Sequence, residues 1–291
     1  MIRDLVEDRL GDGYEVSIRE VVKNNGTELT GLSIGAKDAS IAPTIYLEGL
    51  EERFEKRMIS AGEAAEEVVR LFMKERPQDP SSILKIFMDA EEIYKRVVPK
   101  VINAERNEGF LKTVPHVRFL DLAEIFLVKM EIGGSIGNVT IKNDLAGQLG
   151  LDIERLKKAA FENMRKRGID RRSLSSMISD LLFEAGEFPE EFEEPAGISM
   201  MVVTNQEKYN GACCLLDSEI FVDMADELES DLFVLPSSVH EVIVLPASDQ
   251  CSTDELRELV RSVNDTTVGD EDFLSDSIYR FDRATAELQV A

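Results

Sequence analysis

The residues most able to do chemistry lie in one short turn, residues 237–241. It contains an imidazole, two hydroxyls and a carboxylate. Two apolar runs, Leu232–Leu235 and Val242–Leu245, flank the turn and predict strands on either side of it. Catalytic groups often lie on such connections, and a serine activated by a histidine that an acid orients is the arrangement of many hydrolases. The candidate catalytic residues are therefore Ser237, Ser238, His240 and Glu241.

The same turn also allows two other interpretations. The serines lack the glycine-x-serine-x-glycine context of a nucleophile elbow, and hydroxyls in turns commonly bond to the local backbone. His240 would then be a structural residue that one of these hydroxyls fixes. Alternatively, Cys213 or Cys214 could act as a nucleophile with His240 as its base, if their strands adjoin. The sequence leaves the three interpretations open.

Histidine and cysteine are too scarce for several familiar kinds of site. The chain has 2 histidines, His116 and His240, and 3 cysteines. Neither a histidine-rich metal centre nor a disulfide framework can be built from these numbers. The acidic residues of 265–276 do not match the spacing of a calcium-binding loop. The sequence therefore predicts no metal and no cofactor, and its cysteine usage fits a reducing compartment.

Charge is the most extreme property of the chain. Its 57 acidic residues outnumber 33 basic ones, for a net charge of −24. From Asp217 onward there are 19 acidic residues and only 4 arginines, and Arg155–Arg172 is the one clearly basic stretch. A surface of this sign repels phosphate backbones, which disfavours direct nucleic-acid binding. We expect a basic protein partner for the acidic region, and an acidic partner or an acidic part of the same chain for the basic stretch.

The chain shows no sequence signal for membrane insertion or export. No apolar run approaches the roughly 20 residues that cross a bilayer, and the first residues are too charged for a signal peptide. We therefore expect a cytoplasmic protein with no membrane contact.

The strands and helices that must position these residues are those of an α+β fold. We expect an N-terminal β-hairpin with helices, followed by a mixed, mainly antiparallel sheet packed against helices. Alternation from Tyr14 to Ile34, interrupted by Asn24-Asn25-Gly26, predicts the hairpin. Spacings of three and four residues predict helices. The predicted helices are an opening helix to Leu10, then 48–58, 61–74, 82–97, 152–167, 174–183, 217–228 and 252–263. The other predicted strands are 41–47, 119–130, 138–141, 198–204, 212–216, 232–235, 242–245 and 277–281.

Composition suggests three regions, which could also form one continuous domain. Residues 1–112 hold the hairpin and three helices. Residues 113–195 hold a second hairpin and a helix, and they end in a glutamate-rich linker, 184–195. Residues 196–291 form an acidic α+β region.

Four strings in this order resemble one known family. They are VKNNG at 22–26, PTIYLE at 43–48, LPSSVHEVI at 235–243 and LSDSIY at 274–279. Together they are similar to an uncharacterised bacterial family known only as a domain of unknown function, DUF5688, over nearly the whole chain. The resemblance implies a single cytosolic bacterial type of protein and implies no activity. Its motifs fall at Asn24, Asn25, Gly26, Tyr46, Ser237, Ser238, His240, Glu241 and Tyr279.

The function is unknown from sequence, whether enzymatic or not, and three hypotheses follow from the observations above. The first is an interaction or regulatory protein whose acidic C-terminal region binds a basic partner. The second is a hydrolase-like enzyme centred on residues 237–241. The third is an acidic decoy that imitates nucleic acid, which requires carboxylates spaced along one elongated face.

Overall fold

The protein is described by a computed structural model covering residues 1–37, 42–76, 80–132, 135–177, 179, 200–247 and 252–291. These residues form three antiparallel sheets with helices packed against them, so the predicted α+β class is confirmed. The predicted linker 184–195 and half of the predicted helix 174–183 lie outside the described residues. Within the described ranges, no helix is both long enough and apolar enough to cross a membrane.

The first sheet contains the predicted hairpin. The first two strands pair antiparallel, and the third lies at the edge beside the second, where Pro43 costs no hydrogen bond. Asn25 and Gly26 have φ angles of 59° and 76°, the left-handed conformation that Asn and Gly tolerate best. The strands are β1 (Tyr14–Val22), β2 (Glu28–Ala36) and β3 (Thr44–Tyr46), and the helices packed with them are α1 (Ile2–Leu10), α2 (Glu48–Glu55) and α3 (Ala61–Glu75).

The second sheet is built around one long central strand. Its strands are β4 (Val97–Asn103), β5 (His116–Phe119), β6 (Leu122–Ile132) and β7 (Ser135–Thr140), and β6 pairs with each of the other three. The accompanying helices are α4 (Pro80–Ile86), α5 (Ala90–Arg96), α6 (Glu108–Leu111), α7 (Asn143–Leu149) and α8 (Ile153–Arg167). The predicted hairpin and the predicted helix 152–167 are confirmed.

The helix predicted over 82–97 is wrong in its extent. It is two helices, because the Asp89 side chain accepts a hydrogen bond from the Glu91 N–H at 2.9 Å and starts α5 anew. Val97 already belongs to β4, and Pro99 in the same strand disfavours helical backbone at Val98, the residue before it. The strand β4 was missing from the sequence prediction.

The third sheet has six antiparallel strands in the order β13-β12-β10-β11-β9-β8. The strands are β8 (Ile169–Ser173), β9 (Met201–Asn205), β10 (Leu232–Leu235), β11 (Val242–Pro246), β12 (Tyr279–Asp282) and β13 (Glu287–Val290). Helix α9 (Ser218–Glu227) and helix α10 (Thr253–Thr267) cover opposite faces. In β10, Leu232 and Val234 face α9, whereas Phe233 and Leu235 face α10.

The strand predicted over 212–216 is wrong, because Gly211–Leu216 is a 3₁₀-helix. Its backbone packs against β9 and the His240 carbonyl so closely that a Cβ on Gly211 would lie 2.5 Å from the His240 oxygen. Cys213 and Cys214 are both buried. An apolar run buried on all sides carries no alternation, so its period could not distinguish a strand from a helix.

The second and third sheets each contain strands from two of the regions suggested by composition. β4 pairs with β6 across residue 112, and β8 pairs with β9 across residue 195. The division into domains stays a prediction.

Candidate functional site

The predicted catalytic turn connects β10 to β11 and packs against the loop formed by residues 269–277, which leads into β12. The Val239 N–H donates to the Asp272 carbonyl at 2.8 Å, and the Leu274 N–H donates to the Ser237 carbonyl at 3.0 Å. Ser238 also forms a β-bridge with Phe273. The turn is therefore held in place by backbone bonds to the 269–277 loop.

Both ring nitrogens of His240 make hydrogen bonds. Its Nδ1 accepts from the backbone N–H of Asn210 at 3.2 Å, and its Nε2 lies 3.0 Å from Asp272 Oδ1. Because a backbone N–H can only donate, the ring proton resides on Nε2 and is donated to the carboxylate. The Tyr209 ring packs on the imidazole, with centroids 5.1 Å apart. His240 thus orients the segment that ends at Asn210.

The other candidate residues of the turn do not bond to the imidazole in the described contacts. Ser238 Oγ instead accepts a hydrogen bond from the backbone N–H of His240 at 3.0 Å. Burial raises the pKa of Cys213 to about 12 and raises the pKa of Cys214 as well. Both thiols are therefore protonated and poor nucleophiles. The structure brings an acid, Asp272, to His240, and sequence reasoning had not proposed this residue.

Three of the four strings that carried the family resemblance, at 22–26, 235–243 and 274–279, meet at the 269–277 loop. Asn25 Nδ2 donates to the carbonyls of Asp270 and Phe273 at 2.8 and 2.7 Å, and Asn24 Nδ2 donates to Glu271 at 2.8 Å. Asn107, in the turn that leads from β4 of the second sheet to α6, donates to Asn25 Oδ1 at 2.8 Å. The turn of the first hairpin is thereby fastened to both other sheets. Asn24, Asn25 and Asn107 therefore have a structural role.

A second polar contact joins the second and third sheets. Asp121, between β5 and β6, accepts hydrogen bonds from Ser275 Oγ at 2.6 Å and from Ser277 Oγ at 3.0 Å. The hydroxyl of Tyr279 also donates to this carboxylate. Burial, and then the Asp121 charge, raise the pKa of Tyr279, which therefore stays a hydrogen-bond donor.

Two buried charges in the central strand β6 form a different kind of site. Lys129 has only 8% of its surface exposed, and its ammonium forms an ion pair with Glu207 Oε2. The other oxygen of Glu207 binds Arg167 Nη1 at 2.9 Å. Burial, and then the Arg167 charge, lower the pKa of Lys129 to about 8.

Lys129 and Arg167 line two adjoining depressions. One is a cleft of about 990 Å³ with apolar walls from Ile83, Ile86 and Met130. The other is a cavity of about 20 Å³. Its polar lining includes Asn138 and Asn210, whose Oδ1 atoms are buried without a hydrogen-bond partner.

Glu124 is the second buried charge of β6. It is 2% exposed and lies in a pocket of about 430 Å³ beneath Lys157 and Phe161 of α8. Burial raises its pKa to about 7, against a smaller opposing effect of Lys157. The signal for both residues was present in the sequence, because Glu124 and Lys129 interrupt an apolar run. The sequence could not predict their surroundings, because α8 and Glu207 are far from β6 along the chain.

The basic stretch contacts acidic residues of the same chain. Arg165 Nε lies 3.2 Å from Asp217 Oδ2, and Arg165 Nη2 lies 2.5 Å from Glu219 Oε2. Arg171 Nη2 lies 2.9 Å from Glu227 Oε1. The basic stretch therefore joins α8 and β8 to α9 and neutralises part of the acidic region. Of the two partners considered for it, the acidic part of the same chain is found.

The fold and the polar junctions define an α+β protein of three antiparallel sheets, fastened to one another by side-chain hydrogen bonds. A family model described as a family of unknown function (DUF5688) matches residues 1–283. The chain belongs to this family, as the resemblance implied. No curated protein and no solved structure matches the chain. The family carries no assigned activity, so the function is unknown.

Proposed function

We propose that this protein is an interaction protein that binds a basic partner through the outer face of α10. The observation that carries the proposal is an exposed apolar pair on that helix, Leu259 and Val263, at 53% and 40% exposure. The acidic Glu255 and Glu258 are exposed beside the pair. One helical turn separates the two apolar residues, so they present a continuous strip.

The charge of the region supports a basic partner. Within the described contacts, Glu255 and Glu258 make no ion pair, whereas the acids of α9 are partly used by Arg165 and Arg171. Apolar contact supplies affinity, and the surrounding carboxylates select a positively charged surface and speed its approach. A cytoplasmic location belongs to the same proposal, and fractionation of the host cell tests it.

The test compares two charge reversals of equal size. The double variant Glu255→Lys/Glu258→Lys changes the proposed face, and Glu7→Lys/Asp8→Lys makes the same change on α1. Each chain is used to capture proteins from a lysate of its host, and the captured proteins are quantified. We expect basic proteins to be retained by the wild type and by the α1 variant, and lost by the α10 variant.

Salt provides the second arm of this experiment. At about 1 M salt the Debye length is about 3 Å, so a charge-selected complex should dissociate. Capture that is unchanged by salt and by the α10 reversal would contradict the proposal. A captured DNA-binding protein that duplex DNA displaces would instead support the third hypothesis, the nucleic-acid decoy.

Hydrolysis at residues 237–241 is a second candidate, because His240 and Asp272 form the acid–imidazole pair that such enzymes use. It requires a serine hydroxyl to displace the Asn210 N–H from Nδ1 of the imidazole. Hydrolysis of p-nitrophenyl acetate by the wild type, abolished in Ser237→Ala/Ser238→Ala but retained by Ser175→Ala, would support it. Equal rates of hydrolysis by all three proteins would exclude a catalytic role for these serines.

A further inference from the structure

The cleft beside Lys129 is lined by more basic than acidic residues, although the chain carries a net charge of −24. The basic residues lining it are Lys85, Arg96, Lys129 and Arg167, against the acids Asp89 and Glu92. Its volume of about 990 Å³ is at the upper end of the range for small-molecule sites, about 300–1,000 Å³. A cleft of this charge favours an organic anion.

Glu207 shows which anion the cations accept. Its two carboxylate oxygens are divided between the Lys129 ammonium and the Arg167 guanidinium. Glu207 lies on the short segment that follows β9, where Lys208 and Asn210 have left-handed φ angles of 53° and 54°. Asparagine tolerates this conformation, but it costs energy for Lys208, the residue after Glu207. The carboxylate is thus presented to the two cations by a strained connection.

The cavity next to these cations carries unused acceptors. Asn210 is 7% exposed, and its Oδ1 has no hydrogen-bond partner; the Oδ1 of Asn138 has none either. A buried acceptor without a donor costs about 1–3 kcal/mol, so a ligand that supplies an N–H or O–H gains affinity there. The cleft walls formed by Ile83, Ile86 and Met130 suit an apolar group.

From these contacts we propose that the Lys129 cleft binds a small carboxylate with an apolar side chain and an adjacent amino or hydroxyl group, in competition with Glu207. The ligand carboxylate takes the position of Glu207 between Lys129 and Arg167. The amino or hydroxyl group donates to the asparagine oxygens, and the apolar group enters the cleft. The binding is reversible and involves no covalent step.

The test uses four small molecules of one shape: L-leucine, 2-hydroxy-4-methylpentanoate, 4-methylpentanoate and leucinamide. Binding to the full chain is measured by calorimetry. We expect leucine and the hydroxy acid to bind more tightly than the other two molecules, because each has a carboxylate and an adjacent group that can donate to the asparagine oxygens. The acid without a donor should bind about tenfold more weakly, and leucinamide, which lacks the carboxylate, should not bind.

Variants separate this site from nonspecific binding. Glu207→Gln removes the competing carboxylate without changing its size, so affinity should rise by about tenfold. Lys129→Met removes one of the two cations, so affinity should fall by at least about tenfold. Glu227→Gln, which removes the exposed carboxylate paired with Arg171, is the matched control and should bind like the wild type.

Two results would overturn the inference. One is the absence of binding by all four molecules to both the wild type and Glu207→Gln, a variant that keeps both cations. The other is binding that Glu207→Gln does not strengthen, or that leucinamide shares. Because the test does not involve α10, its outcome is independent of the proposed basic partner.

Discussion

Single residues of β6 show most directly how burial changes chemistry in this protein. Removing a charge from water is unfavourable unless it is paired, and an unpaired group responds by favouring its neutral form. Burial lowers the pKa of Lys129 to about 8 although this residue is paired with Glu207. Burial raises the pKa of Glu124, which has no ion pair within the described contacts, to about 7. The two residues occupy the same strand but should respond differently to substitution.

Replacing Glu124 with glutamine should stabilise the protein at high pH. Because its pKa in the fold lies above the usual 4.5, its contribution to stability is full below about pH 4.5 and is lost as the pH rises through about 7. Glutamine resembles the protonated acid at every pH. Urea unfolding of Glu124→Gln should therefore match the wild type near pH 4 and show a gain of up to about 3 kcal/mol near pH 8.

The exposed strand residue Glu20 provides the control for this prediction. The Glu20→Gln variant should differ from the wild type by the same small amount at both pH values, because its side chain stays in water. A Glu124→Gln difference that does not grow with pH would show that the carboxyl is already charged in the fold at neutral pH.

At the scale of elements, helices with local start signals were predicted well, and elements defined by their neighbours were not. Helix α8 follows Asp152, whose side chain accepts a hydrogen bond from the Arg155 N–H at 2.8 Å. The cap and the residue that it bonds thus lie within four positions of each other. The 3₁₀-helix at Gly211–Leu216 has no comparable signal. Its conformation follows from the close approach of β9 and residue 240, which no local pattern contains.

Gly211, the first residue of this 3₁₀-helix, should not tolerate a larger side chain. A Cβ there would lie 2.5 Å from the His240 carbonyl oxygen and 2.7 Å from the Asn205 nitrogen, both backbone atoms that cannot move aside. We expect Gly211→Ala to lose about 3 kcal/mol or more, or to fail to fold, by thermal unfolding.

Gly147 in α7 is the matched control, because a Cβ at this position meets nothing within 4 Å. Gly147→Ala should gain about 0.5–1 kcal/mol, since alanine loses less backbone entropy in a helix. Equal stability of the two variants would mean that residue 211 is not packed as described.

At the scale of the whole molecule, the sheets are joined by a few polar side chains as well as by apolar packing. Asn25 contacts the 269–277 loop and Asn107, so that the turn of the first hairpin reaches both other sheets. These bonds span more than 80 residues of sequence in each case. Loss of one such residue should therefore loosen the association of the sheets rather than unfold a single element.

Asn25→Gly isolates this effect, because glycine keeps the positive φ angle and removes only the side-chain bonds. We expect a loss of about 2–3 kcal/mol, from about 1 kcal/mol for each bond. Hydrogen exchange of the amides in 269–277 should become faster. Arg57→Gly, at an exposed residue with a φ of 56°, is the control and should leave that exchange unchanged. Unchanged exchange in Asn25→Gly would contradict the fastening role.

The sequence by itself determined the α+β class, the first hairpin with its Asn-Asn-Gly turn, most helices and the family. Those features depend on periodicity, caps and turn residues, which act within a few positions. Only the tertiary structure decided the rest, which includes the strands β4, β8 and β13, the 3₁₀-helix, the hydrogen bond between His240 and Asp272, and the cleft where Glu207 meets Lys129. Each of these depends on groups brought together from distant parts of the chain, and the cost of burying charge gives such groups their chemistry.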